Sequence, residues 1–307
     1  MKCTDESHLI MEFMKFWLKN YPDVITGWNT KFFDLPYLMN RIQMVAGAKV
    51  ANRMSPWNLI HKEEIIVRGR PNTYYSLYGI AMLDYLDLYK WFIPVRQESY
   101  RLSHIGETEL GETKIDNPYD TFKDFYTKDY QKFVEYNIQD VEIVDGLEDK
   151  LGLIDLSLTF AYETKVNYND IFSQVRVWDT LIANHLMTKK ICVPPREDHI
   201  KDTKYEGAYV KEPRLGMQKW VVSFDINSLY PHIIVQYNIS PEKILGVKPS
   251  GVSVNKMLDK KTPLDYLKTE GACITPNGAM FKNDSQGFLP EMIEKIYKDR
   301  VIYKNVN

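Results

Sequence analysis

The chain has 307 residues, 44% hydrophobic and 26% charged, with a formal net charge of −2; that length buries one large core or two ordinary ones, so roughly two domains are expected. No apolar run approaches the ~20 residues of a membrane helix, and MKCTDESHLI has no signal-peptide apolar region. Cys3, Cys192 and Cys273 show no CxxC spacing, which argues against a disulfide framework or zinc ribbon and fits a reducing cytoplasm. Near-neutral charge provides no global field for nucleic acid, so any DNA contact would have to come from local stretches such as Arg68-Gly69-Arg70 and Lys298-Asp299-Arg300, groups that are ordinarily solvated.

In chain order, Ser7 to Asn20 carries Leu9, Ile10, Phe13, Met14, Phe16 and Trp17 at mostly helical spacing, with Ser7 as N-cap. A short strand over Asp23 to Trp28, a loop over Asn29 to Phe33 and a helix opening on Asp34-Leu35-Pro36 follow. Residues 61–90 read as a hairpin broken at Gly69-Arg70-Pro71-Asn72, then a strand over Ala81 to Leu88. Helices are expected over Asp129 to Leu151, over Leu153 to Tyr162 and near Val175 to Met187, before a linker at Pro194-Pro195-Arg196-Glu197-Asp198. Beyond it, strands over Tyr205 to Val210 and Trp220 to Asp225, a Tyr-Pro helix, a looser middle and a helix from Pro290 onward make a second α/β unit. There is no internal repeat.

Asp225 ends the apolar run Trp220-Val221-Val222-Ser223-Phe224. A carboxylate there is costly to bury without a cation, and the end of a strand is where sites on α/β sheets lie. Magnesium suits a hard oxygen ligand. With Pro231 early in the next helix, the amides of Ser228 to Tyr230 would form a cradle for phosphate oxygens. Metal beside phosphate implies phosphoryl transfer; the alternative is that Asp225 merely ends a strand and caps a turn. Asp34 before Leu-Pro-Tyr has the form of a helix N-cap, which is compatible with metal binding. Tyr136 and Asp140, four apart on a helix, share a face that could hold an attacking water and a metal, or be ordinary solvated surface.

The motifs together resemble the B-family DNA polymerases, most closely the replicative branch of T-even-type bacteriophages. FDINSLYPHII resembles the first polymerase motif, GWNTKFFDLPYLMNR the second exonuclease motif and YNIQDVEIV the third, in the family's order. LDYLDLYKWF, YEGAYVKEP, NISPEKI and TPNGAMF extend the resemblance over nearly the whole chain. It implies an α/β fold: a partial ribonuclease H-like exonuclease domain at 1–152, connecting helices and linker at 153–198, the first part of a polymerase palm at 199–284, and the start of a fingers helix at 285–307.

By the same resemblance, Asp34 and Asp140 would be exonuclease metal ligands, with Asn29 the second-motif asparagine and Tyr136 the water-orienting tyrosine. Asp225 would be a polymerase metal ligand completed by the main chain at Ile226, with Asn227, Ser228 and Leu229 at the triphosphate. Tyr230 would stack under the sugar and exclude a 2′-hydroxyl, since a packed ring cannot yield volume cheaply. Tyr205, Gly207 and Ala208 would contact template DNA. The implied cofactor is Mg²⁺, two ions per site, and the implied partners are primer–template DNA, deoxynucleoside triphosphates, a sliding clamp and single-strand-binding protein.

The resemblance also leaves gaps. The first exonuclease motif, the fingers lysine helix and the Asp-Thr-Asp strand have no counterpart here, and His232 stands where the family usually has serine. The expectation is a central fragment, completed by complementary chains or drawn from an incomplete coding sequence. A free-standing 3′–5′ exonuclease and a noncatalytic DNA-binding remnant are the alternatives.

Overall fold

In the computed structural model of the chain, residues 3–67, 69–112, 117–195, 212–247, 256, 259–261 and 271–306 are described, and they fall into two units, 1–181 and 182–307.

The first unit opens with α1 (Glu6–Lys19), which buries Ile10 and Met14 along one stripe. Its N-cap is Asp5, whose carboxylate accepts from His8 N, rather than Ser7; both residue types cap well, and the extended backbone at Asp5 is the one that lets a side chain reach back to the third amide. The expected strand over Asp23 to Trp28 shortens to β1 (Val24–Ile25). It pairs in parallel with β4 (Ala81–Met82). Between them lie α2 (Asp34–Ala46), α3 (Ala48–Asn52) and the antiparallel hairpin β2 (Ile60–Val67) and β3 (Arg70–Leu77). The hairpin turn is tighter than its Gly-Arg-Pro-Asn sequence predicts: Pro71 lies inside β3 opposite Ile66. A two-stranded ribbon has only edges, where proline's missing N–H is tolerated.

The strand expected over Ala81 to Leu88 is a correction. Only Ala81–Met82 is strand; Asp84 accepts from Leu86 N and starts α4 (Tyr85–Phe92), which buries Tyr85, Leu88 and Tyr89. Residues at i, i+3 and i+4 share a helical face, so this apolar run packs better as a helix. Then come α5 (Leu102–Leu110), α6 (Phe122–Lys128) and α7 (Tyr130–Leu151), the last capped by Asp129 and ended by left-handed Gly152. Next are α8 (Leu153–Thr164), a 3₁₀ turn (Tyr168–Phe172) and α9 (Gln174–Thr188), whose last turns belong to the second unit.

The β1–β4 pair separates two cores. Val24 and Leu83 pack with Tyr85, Leu88, Tyr89, Ile105, Ile143 and Leu147, whereas Ile25 and Met82 pack with Met14, Leu35, Met39, Ile42 and Leu77. Successive strand residues point to opposite faces, so two residues of each chain segment serve both cores. Leu153, Ala161 and Ile171 complete the first core; the helix that the resemblance places in a connector, α8, shares that core with α4, α5 and α7.

In the second unit, α10 (Leu229–Gln236) packs against α11 (Phe288–Val306), with the His232 and Tyr297 rings edge-to-face at 5.0 Å. A three-stranded antiparallel sheet has the order β5 (Ile244–Val247), β7 (Ala279–Lys282), β6 (Ala272–Ile274). The strand predicted over Trp220 to Asp225 is not formed: among the described residues this stretch joins no sheet, with Trp220 97% and Phe224 90% exposed. β-propensity alone does not hold a strand whose N–H and C=O groups find no ladder. The expected strand over Tyr205 to Val210 lies outside the described residues.

Candidate functional site

The sequence GWNTKFF forms a tight loop where β1 ends. Strand pairing runs on past the ladder, with Leu83 N donating to Ile25 O and Tyr85 N to Gly27 O, each at 2.9 Å. This brings the N-terminus of α4 beside the loop. Gly27 has φ 152°, and a Cβ on it would lie 2.2 Å from Thr30 Oγ1, so its backbone disfavours a side chain and a substitution would force the Thr30 hydroxyl to move. Asn29 is left-handed at φ 66°, a conformation asparagine tolerates better than most residues.

The buried carboxylate of Asp84 meets this loop from the α4 side. Asp84 Oδ1 accepts from Asn29 N and from Leu86 N, both at 3.0 Å, and Oδ2 accepts from Lys31 N at 2.9 Å. Burial pushes the Asp84 carboxyl above its ordinary value, opposed by these three amide bonds. Lys31 Nζ lies 3.6 Å from Asp87 Oδ2 and over the Phe32 and Tyr74 rings. Trp28 Nε1 donates to Tyr100 O at 3.1 Å.

Leu35 N then donates to Thr30 O, and α2 begins at Asp34. The N-cap position falls on Phe33, which has no side-chain cap, and Asp34 is an exposed first-turn residue. The N-cap expected at Asp34 is therefore displaced by one residue. The loop's own turn bond, Leu35 N to Thr30 O, starts the helix one residue earlier than the Asp-Leu-Pro sequence implies.

Tyr136 and Asp140 both lie half-buried on α7. They continue the stripe that carries Ile143 and Leu147 into the first core, so this face of the helix is turned inward and is not a uniformly solvated surface. Phe122 and Phe125 of α6 meet the Tyr136 ring edge-on, with centroids at 6.0 and 5.9 Å, fixing the ring from two sides.

In the second unit, Asp225, Ile226 and Asn227 are exposed and lead into Ser228, left-handed at φ 53° and N-cap of α10. Leu229 and Tyr230 are the first two helical residues, and Pro231 is the third. The helix-terminus arrangement expected for residues 228–230 is present. Its carboxylate is exposed, however, and not buried at a strand end. Tyr205, Gly207 and Ala208 lie outside the described residues.

Sequence reasoning passed over Asp84. Its signal was an aspartate opening a run with helical spacing at Tyr85, Leu88 and Tyr89, which the strand reading masked. Asp34, Asp140 and Asp225 carry the hard oxygen donors that Mg²⁺ prefers. Among the described residues, though, no group of three or more His, Cys, Asp or Glu converges to hold a metal. The described residues do not by themselves compose a complete two-metal centre.

Two small cores flanking a parallel strand pair, with a loop at the strand ends, give the first unit a mixed α/β arrangement. The profile described as DNA polymerase family B, exonuclease domain, matches residues 1–105, and that described as DNA polymerase family B matches residues 170–306. The chain belongs to DNA polymerase family B, whose domains generally use divalent metal ions. Loop 27–33 and α10 fall within the matched spans; Tyr136 and Asp140 fall between them.

The chain is 37% identical to the DNA-directed DNA polymerase of Escherichia phage RB69 over 309 aligned residues, 99% of this chain and 33% of that protein. It is 34% identical to the DNA-directed DNA polymerase of Enterobacteria phage T4, over 99% of this chain and 33% of that protein. With the DNA polymerase delta catalytic subunit of Caenorhabditis elegans it shares 26% identity, over 99% of this chain and 28% of that subunit. The chain thus spans about a third of the length of the curated relatives it matches. No helix among the described residues is long and apolar enough to cross a membrane.

Proposed function

We propose that this chain is the central part of a DNA-directed DNA polymerase with 3′–5′ proofreading, acting on primer–template DNA and deoxynucleoside triphosphates. The observation that carries the reading is the Asp225-to-Tyr230 segment: a carboxylate followed by the N-terminus of α10, inside the span matched by the polymerase profile. Amides at a helix N-terminus favour a phosphate ligand. Ile226, Asn227, Ser228 and Leu229 would line the triphosphate, and Tyr230, 75% exposed, would meet the sugar and reject a 2′-hydroxyl.

On the editing side, Asn29 and Asp34 are presented by loop 27–33 and the start of α2, while Tyr136 and Asp140 are presented by the inward stripe of α7. In this reading Tyr136 orients the attacking water, and its two phenylalanine neighbours limit ring motion. Mg²⁺, two ions per site, would activate the nucleophile and stabilise the leaving oxygen. A complete metal centre needs further carboxylates, which complementary polymerase segments would supply. By family, a sliding clamp and single-strand-binding protein are proposed partners, Tyr205, Gly207 and Ala208 proposed template contacts, and a host cytoplasm the proposed compartment.

A free-standing 3′–5′ exonuclease is the second reading. It is favoured by the contrast between packed editing elements and the exposed segment before Asp225. One experiment addresses both: the purified chain is assayed with Mg²⁺ for templated nucleotide addition and for digestion of single-stranded DNA. No addition and weak or no digestion are expected. Robust addition abolished by Asp225→Ala would show that the count of essential carboxylates is wrong. Digestion that survives both Asp34→Ala and Asp140→Ala would refute the exonuclease assignment.

A further inference from the structure

The geometry points to Asp84 as the positioning residue of loop 27–33, the group that sets the backbone from which Asn29 and Asp34 are presented. The inference rests on the exonuclease reading of those two residues. Asp84 itself touches neither substrate nor reacting atoms.

Three features single it out. Asp84 is 2% exposed, and its carboxylate accepts three backbone N–H bonds, two from the loop and one from its own helix. Bonds to a charged acceptor are roughly twice as strong as neutral ones, and stronger again where water is excluded. The two loop amides flank Thr30, so one carboxylate fixes both sides of the turn whose Asn29 is left-handed. Finally, the carboxylate stands at the N-terminus of α4, whose Tyr85, Leu88 and Tyr89 are fully buried. The loop is thereby tied to a core element through a group that cannot shift without moving that core.

The requirement is for two acceptor oxygens. In Asp84→Asn the volume is kept, but one oxygen becomes an NH₂ that faces an N–H, donor to donor, at Asn29 or Lys31. A helix cap alone needs one acceptor, which asparagine supplies well. The variant therefore separates positioning of the loop from capping of α4.

The test uses the full 307-residue chain and residue-resolved amide hydrogen exchange with amide chemical shifts. Asp84→Asn should speed exchange about tenfold to hundredfold at whichever of Asn29 and Lys31 meets the NH₂, the range implied by losing a charge-assisted bond. It should move the Asn29, Lys31 and Asp34 amide resonances while leaving exchange at Leu88 and Ile42 unchanged. Unchanged exchange at Asn29 and Lys31, or a uniform rise across both cores, would overturn the proposal; the latter outcome is what a merely structural role gives. Asp34→Ala in the same assay should leave Lys31 exchange unaltered. If Asp84→Asn behaves as expected while any digestion of single-stranded DNA by the chain survives both Asp34→Ala and Asp140→Ala, the positioning role stands and the exonuclease reading falls.

Discussion

The segments on either side of the two candidate carboxylates differ sharply. Around Asp34, the loop is fastened by strand pairing, by Asp84 and by Trp28, and it leads into a helix with Leu35, Met39 and Ile42 buried. Before Asp225, an equally apolar run, Trp220 to Phe224, is exposed and joins no sheet among the described residues. Hydrophobic composition is common to both. What distinguishes them is whether neighbouring backbone is in place to satisfy the polar groups of the chain.

The largest expected effect comes from the packed side. Leu88→Ala, at a fully buried position, should cost about 2–5 kcal/mol in urea denaturation, the range for large-to-small core changes. A loss below ~1 kcal/mol would show that the first core is looser than its burial implies.

Next is Asn238, 4% exposed and left-handed at φ 52°. Its amide donates to Lys282 O and Ser285 O and accepts from Gly287 N, joining the end of α10 to the start of α11. Asn238→Ala should cost about 1–3 kcal/mol by stranding those groups. Exchange should rise in α11 with none at Leu88; a rise in both would dissolve the contrast between the units.

Acid should act in a graded way. The Tyr89 hydroxyl and the Lys150 ammonium hold the Glu109 carboxyl below its ordinary value of 4.5. At Glu242 burial opposes the shift, yet bonds from Ser240 and Phe288 still hold the carboxyl low. A lowered folded value means that this stability is fully present above the ordinary value and is lost as pH falls through the folded one. Asp84 has the opposite sign: its raised value makes its contribution fall as pH rises past 3.8. Acidification below pH 4.5 should therefore loosen the start of α11, where Phe288 N donates to Glu242, as followed by exchange of Phe288. Phe288 exchange that does not change over this range would show that the Glu242 bonds contribute little there.

The smallest effect is expected at the exposed run. Phe224→Ala should change stability by within about 0.5 kcal/mol, as surface substitutions do. A cost several times larger would show that Phe224 is covered in solution.

Much of the first unit was legible because its signals are local. Asp129 caps α7 and Gly152 ends it, where the predicted helix begins and stops. The hairpin shows in its β-branched and aromatic runs, although the turn is shorter than its glycine and proline indicate. LDYLDLYKWF defeated pattern reading because its apolar residues satisfy both a period of two and a helical face; burial of Tyr85, Leu88 and Tyr89 against α5 and α7 decides for the helix. Of the candidate site, Asn29, Asp34, Tyr136, Asp140 and the Ser228-to-Tyr230 turn were marked by motif, whereas the inward turn of that face of α7 is decided by the burial of Ile143 and Leu147. The cap that Asp84 places on α4 had a local signal, but its hold on the loop had none, because those partners lie 53 and 55 residues away in sequence.

By itself the sequence determined the family, the order of its motifs and most of the long helices, since each is carried by residue type and short-range spacing. Only the tertiary structure decided that one aspartate would be buried beneath loop 27–33 and another left exposed before α10. A carboxylate's environment is set by the backbone amides and apolar surface that distant segments bring to it, and the sequence around Asp84 and Asp225 does not record which of them is met by such a segment.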